Sequence, residues 1–142
     1  MLSIKSHLAD ASAKIQRVLD SLLSPGTHPL NWETIKDSFV IQGTDIPGVY
    51  LFLERRGVKA YKTVLSAQKA LRNHFSDSVT LHLELSSDPE CDEREFLMIL
   101  VEPNQRSDNF YDEVDKVEYL WLPTVPFNCR RLVEFDEYVF DE

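Results

Sequence analysis

The side chains most suited to metal chemistry lie in the run from Asp88 to Glu95, which holds five carboxylates in eight residues. Asp88, Glu90 and Asp92 match positions one, three and five of a calcium-binding loop. Such a loop also needs glycine at position six and glutamate at position twelve, whereas Glu93 occupies position six and no glutamate stands at twelve. The run is therefore interpreted as a solvated acidic turn that discourages aggregation of strand edges.

Histidine and cysteine offer no stronger site. His74, His82 and Cys91 could supply zinc ligands, but no two of them form the close pair that is typical of zinc sites. Cys91 and Cys129 have no base among their sequence neighbours, so both are expected to be reduced, unreactive thiols. The four glycines form no phosphate-binding loop. The sequence thus predicts no catalytic residue, no metal and no cofactor.

A binding surface is the alternative to a catalytic site, and aromatic and acidic residues of the second half are its candidates. Aromatic side chains are enriched at binding hot spots. Core packing is the competing explanation for the aromatic members, and it is the favoured one for Trp121. The candidate partner-binding residues are Tyr111, Asp112, Glu113, Asp115, Trp121, Phe127, Tyr138 and Phe140.

Charge is distributed unevenly along the chain. The formal net charge of −9 combines 10 basic and 6 acidic side chains in residues 1–75 with 5 basic and 18 acidic ones in residues 76–142. A chain this acidic is repelled by phosphate backbones, so free nucleic acid is not an expected partner. The excess of acid serves solubility at least, and it favours a basic protein partner.

The first half of the chain shows helical patterns. Apolar residues at steps of three and four predict an amphipathic helix from Ile4 to Leu22, which Ser24-Pro25-Gly26 ends. Asn31 is suited to cap a short helix that begins at Trp32. Val49 to Leu53 is too short an apolar run to distinguish a strand from a helix, whereas the pattern from Val58 to Phe75 predicts a helix.

The second half combines strands with one helix. Val79 to Ser86 alternates strictly between apolar and polar residues, and Phe96 to Val101 is continuously apolar, which predicts an antiparallel pair. Ser107 or Asp108 is suited to cap a helix that runs to Trp121. The aromatic tail from Pro126 adds a strand or folds over the core.

These elements predict an α+β fold in which N-terminal and further helices pack on a small antiparallel sheet. No linker divides the chain, so residues 1–142 are predicted to form one domain. The N-terminus lacks the apolar run of a signal peptide, and no stretch approaches the length of a membrane span. A cytoplasmic protein without membrane contact is therefore expected, and its oligomeric state is left open.

The segment Pro47–Phe52, with Tyr61 eleven residues after Tyr50, resembles the opening of GIY-YIG endonucleases. The resemblance covers about residues 47–75 and implies a metal-dependent nuclease. The motif is degenerate, because Thr63 stands for the family's second glycine and Lys69 for its arginine. Glu118 is the loose candidate for the metal-binding glutamate.

Residues 66–122 resemble a group of small bacterial α+β proteins. The resemblance rests on a helix that ends in Leu71–Phe75, the Asp88-Pro89-Glu90 turn between two strands, and Tyr111–Lys116 running into Trp121-Leu122. It implies a fold and a bacterial origin but no site residues.

The function predicted from the sequence is a non-enzymatic protein-interaction module, acting as a subunit, an adaptor or a toxin-neutralising partner. The alternative is a small divalent-metal-dependent hydrolase or a degenerate GIY-YIG-like nuclease.

Overall fold

The computed structural model describes residues 31–90 and 94–139. The predicted helix from Ile4 to Leu22, Cys91 and Phe140 lie outside these residues. The elements in chain order are the helices α1 (Trp32–Ser38), α2 (Ile46–Arg56) and α3 (Val58–Phe75), the strands β1 (Val79–Ser87) and β2 (Glu95–Pro103), the helix α4 (Phe110–Trp121) and the strand β3 (Val133–Glu137). Two short 3₁₀ turns, Leu122–Thr124 and Phe127–Cys129, connect α4 to β3.

The α+β class predicted from the sequence is confirmed. β1 and β2 pair antiparallel as predicted, and in the observed register Leu83 lies opposite Ile99. β3 lies on the other side of β2 and runs parallel to it, so the sheet is mixed and the expectation of a wholly antiparallel sheet needs correction. The reason is the connection, since α4 carries the chain back along the sheet before β3 begins.

Capping residues and a glycine define several of the helix boundaries. The Asn31 carboxamide oxygen accepts hydrogen bonds from the backbone of Glu33 and Thr34, as predicted for the cap of α1. Gly57, at a φ of 78°, separates α2 from α3 in a conformation that glycine adopts without strain. The ambiguous run Val49–Leu53 belongs to α2. α4 begins after Asn109, and neither Ser107 nor Asp108 provides its cap.

One hydrophobic core lies between the helices and one face of the sheet. The odd-numbered residues in the central parts of the strands, among them Leu83, Ile99 and Phe135, point into it and are buried. The sheet and α3 together form the surface against which α4 packs.

None of the described helices is long and apolar enough to cross a bilayer.

Candidate protein-binding surface

The position of α4 is fixed by its apolar stripe. Phe110, Val114, Val117 and Trp121 recur at steps of four, three and four, and all four are buried. Trp121 stacks on Phe135 of β3, with ring centroids 4.9 Å apart. Its indole N–H also donates a hydrogen bond of 3.0 Å to Ser66 Oγ on α3. Because α3 and β3 hold one face of α4, the opposite face is exposed to solvent.

That exposed side carries two tyrosines and two carboxylates: Tyr111, Asp112, Asp115 and Tyr119, here called the α4 outer face. Tyr111 is 54% exposed and Tyr119 is 77% exposed. Asp112 and Asp115 are also exposed. The sequence analysis missed Tyr119, although its place four residues after Asp115 sets it opposite the buried stripe. The structure thus assembles a compact acidic and aromatic surface on one helix.

The remaining predicted site residues lie elsewhere. Trp121 is 4% exposed and belongs to the core, so its ring is not available to a partner. Glu113 is half-buried and lines a separate cavity beside Phe110. Phe127 is 86% exposed, but it lies in the second 3₁₀ turn, where the Arg130 guanidinium is 5.7 Å from its ring centroid.

Tyr138 is separated from the α4 outer face by the sheet. Its ring stacks on His82, with centroids 4.2 Å apart, on the side of the sheet opposite the helices. His82 is in turn 2.8 Å from Glu102 Oε1 through its Nε2. Of the seven predicted binding residues that the structure describes, it therefore brings together Tyr111, Asp112 and Asp115 on one surface.

A half-buried carboxylate adjoins the α4 outer face. Glu118 Oε2 accepts a hydrogen bond of 2.7 Å from the backbone N–H of Phe135. Burial is the main cause that raises the pKa of Glu118, and the bond from Phe135 opposes it. The negative charges of Glu134, Asp115 and Asp136 raise the pKa further. This pattern indicates a concentration of like charge around the junction of α4 and β3.

The raised pKa of Glu118 makes a test of this charge concentration possible. Glu118→Gln keeps an oxygen that can accept from Phe135 but removes the charge. Burial and the neighbouring charges oppose ionisation of the wild-type carboxylate, so above its raised pKa we expect the variant to be more stable than the wild type. As pH falls through the raised pKa, the folded wild type takes up a proton and the difference should shrink. Urea unfolding of both proteins between pH 4 and pH 8 measures this difference; a difference independent of pH would show that the fold does not oppose ionisation of Glu118.

Some of the residues singled out for metal or nuclease chemistry are engaged in core packing or in ion pairs. Tyr50 and Tyr61 lie on α2 and α3 and are buried in the core. Arg94 lies 3.4 Å from Asp88 Oδ2 and 3.2 Å from Glu134 Oε1, so it ties the acidic turn to β3. Among the described residues, no three histidine, cysteine or acidic side chains are grouped so as to hold a metal ion.

The fold and this surface together define an α+β protein with an acidic, aromatic helix face. No family model, no curated protein and no solved structure matches the chain. The resemblances to GIY-YIG endonucleases and to small bacterial α+β proteins therefore stay predictions.

Proposed function

We propose that this chain is a non-enzymatic protein-interaction module that binds a basic protein partner through the α4 outer face. The observation that carries the proposal is the exposure of Tyr111 and Tyr119 beside Asp112 and Asp115 on a helix whose other side is locked in the core. Solvent-exposed tyrosines on a rigid helix supply contact area at a low cost in conformational entropy. Carboxylates beside them select a partner of opposite charge.

The electrostatic surroundings support a basic partner. Asp115 lies among the like charges that raise the pKa of Glu118, together with Glu134 and Asp136. On α4 itself, Lys116 is the one basic residue. A field of one sign speeds encounter with an oppositely charged protein, and this contribution weakens as salt screens it.

The concentration of exposed apolar side chains also favours this region. Among the described residues, four of the six large exposed hydrophobic side chains fall between positions 111 and 127. These four are Tyr111, Tyr119, Leu120 and Phe127. Tyr111 and Tyr119 belong to the α4 outer face beside its carboxylates, and exposed hydrophobics rimmed by charge are typical of an interaction site. Leu120 lines a cavity on another side of α4, and Phe127 lies in the second 3₁₀ turn.

Site-specific cross-linking in the native cell tests the proposal. A photoreactive amino acid replaces Tyr119, and the control carries it at Lys36, an exposed position on α1. We expect irradiation to give one discrete protein adduct from position 119 and none from position 36. The same adducts from both positions, or none from position 119, would show that the α4 outer face has no dedicated partner.

A further inference from the structure

Two cavities follow one another along α3, on the side that faces the end of α4 and the turns after it, and the pair is here called the groove. The two cavities have volumes of about 420 Å³ and 450 Å³ and share Ser66 and Thr124 in their walls. Cavities of this size are within the range of ligand-binding sites. The groove lies on the other flank of α4 from β3, and it is separate from the α4 outer face.

The α3 wall of this groove is a stripe of exposed polar residues. Lys59, Lys62, Ser66, Lys69 and Asn73 follow one another at steps of three, four, three and four, which places them on one side of the helix. All five line the groove. A helix rises about 1.5 Å per residue, so the stripe is about 21 Å long. That length matches about six residues of an extended peptide.

The opposite wall and the floor are largely apolar and held in place, with Thr124 and Asn128 as polar members. Leu120 and Pro126 are exposed, whereas Val117, Trp121, Val125 and Cys129 line the groove with little exposed area of their own. Trp121 is fixed to the middle of the stripe by its bond to Ser66. Further along, Thr124 Oγ1 donates to the Trp121 carbonyl, and Arg130 Nε donates to the Val125 carbonyl. The groove is therefore preformed, which lowers the entropic cost of binding.

The charge of the groove is opposite to that of the chain. No carboxylate is among the described residues that line either cavity. In the described parts of the chain, ion pairs involve Lys36, His82 and Arg94, so Lys59, Lys62 and Lys69 are in none of them. A protein of net charge −9 thus exposes a line of three lysines beside an apolar floor.

From this combination we infer that the groove binds an extended acidic peptide segment of a protein partner, with carboxylates toward the lysines and apolar side chains toward the exposed Leu120 and Pro126. Alternation of the two kinds of side chain is what an extended peptide provides, because successive side chains point to opposite sides. Single-stranded nucleic acid fits less well, since it binds by stacking successive bases on exposed aromatic rings. The lining holds two aromatic rings: that of Trp121 is buried, and the exposed imidazole of His74 already packs edge-on against Phe75.

Fluorescence anisotropy with short labelled peptides tests this inference on the purified full chain. The probe is an eight-residue peptide of alternating Glu and Leu, and the comparison peptides alternate Gln with Leu and Glu with Ser. We expect the Glu-Leu peptide to bind at least tenfold more tightly than either comparison, because each of these lacks one of the two contacts. Equal affinity for all three peptides would overturn the inference.

Variants locate the binding. Lys62→Glu with Lys69→Glu reverses the charge of the groove, and Lys36→Glu is the control at an exposed lysine on α1. We expect at least a tenfold loss of affinity in the double variant, an unchanged affinity in the control, and unchanged melting of both. Equal binding by the double variant, or tighter binding of an eight-nucleotide single-stranded RNA than of the peptide, would refute the assignment. This test does not involve the α4 outer face, so its outcome is independent of the proposed function.

Discussion

Replacing Trp121 by Ala is expected to lower the free energy of unfolding by about 3–5 kcal/mol, the usual range for loss of a large buried aromatic side chain. The ring is 4% exposed, stacks on Phe135 and joins α4 to α3 through Ser66. Truncation leaves a cavity where helix, helix and sheet meet. Urea denaturation followed by circular dichroism measures the loss.

Trp121→Phe is the matched control. It keeps an aromatic ring against Phe135 but loses the donor to Ser66, whose side chain is exposed and can bond water instead. We expect this variant to lower the free energy of unfolding by about 1–2 kcal/mol, because it loses one hydrogen bond and buries a smaller ring. If the Trp121→Ala variant kept its stability but no longer bound the partner, Trp121 would instead be a partner-binding residue, which is the alternative that the sequence left open.

Charge reversal of Asp112 and Asp115 to Lys is expected to slow association with the basic partner at least tenfold at low salt. The change replaces two exposed carboxylates at the centre of the α4 outer face, and steering depends on such local charge. Stability should change by less than about 0.5 kcal/mol, because exposed charges contribute little to folding. Association rates at several salt concentrations, measured with the cross-linked partner once identified, test this.

A control of equal charge distinguishes local from overall electrostatics. Asp37→Lys with Asp77→Lys changes the net charge by the same amount at exposed positions on other parts of the chain. We expect this variant to associate nearly as fast as the wild type. An equal slowing in both variants would mean that the excess of acid acts through net charge alone, as an aid to solubility.

The sequence predicted those helices and strands whose hydrophobic periodicity can be recognised from their own residues. The helix from Val58 to Phe75 has the predicted bounds, and the antiparallel pairing of β1 with β2 is confirmed. The parallel placement of β3 was not predictable, because it depends on how α4 packs across the sheet rather than on the composition of the tail. Val49–Leu53 was undecided for a related reason: a short buried run looks alike in a helix and in a strand.

The candidate site was predictable only in part. The high density of aromatic and acidic residues in the second half of the chain indicated Tyr111, Asp112 and Asp115, which do share a surface. The same density also indicated Tyr138, which the fold places on the other side of the sheet. Composition alone does not tell on which side of a sheet a residue lies. The lysine stripe of α3 was visible as a polar helix face, but the groove beside it exists only once the turns after α4 are in place.

The bond between Glu118 and Phe135 also constrains how any partner can approach β3. The Phe135 N–H turns away from β2, and Asp136 Oδ1 accepts the following outward amide, that of Glu137. Two of the three outward amides of β3, those of Phe135 and Glu137 but not that of Val133, are thus occupied by carboxylates of this chain, whose charge further disfavours main-chain pairing. We therefore expect a partner on this side of the molecule to be recognised mainly through side chains. Substitutions of surface side chains can then change which partner is bound, without any change in the backbone.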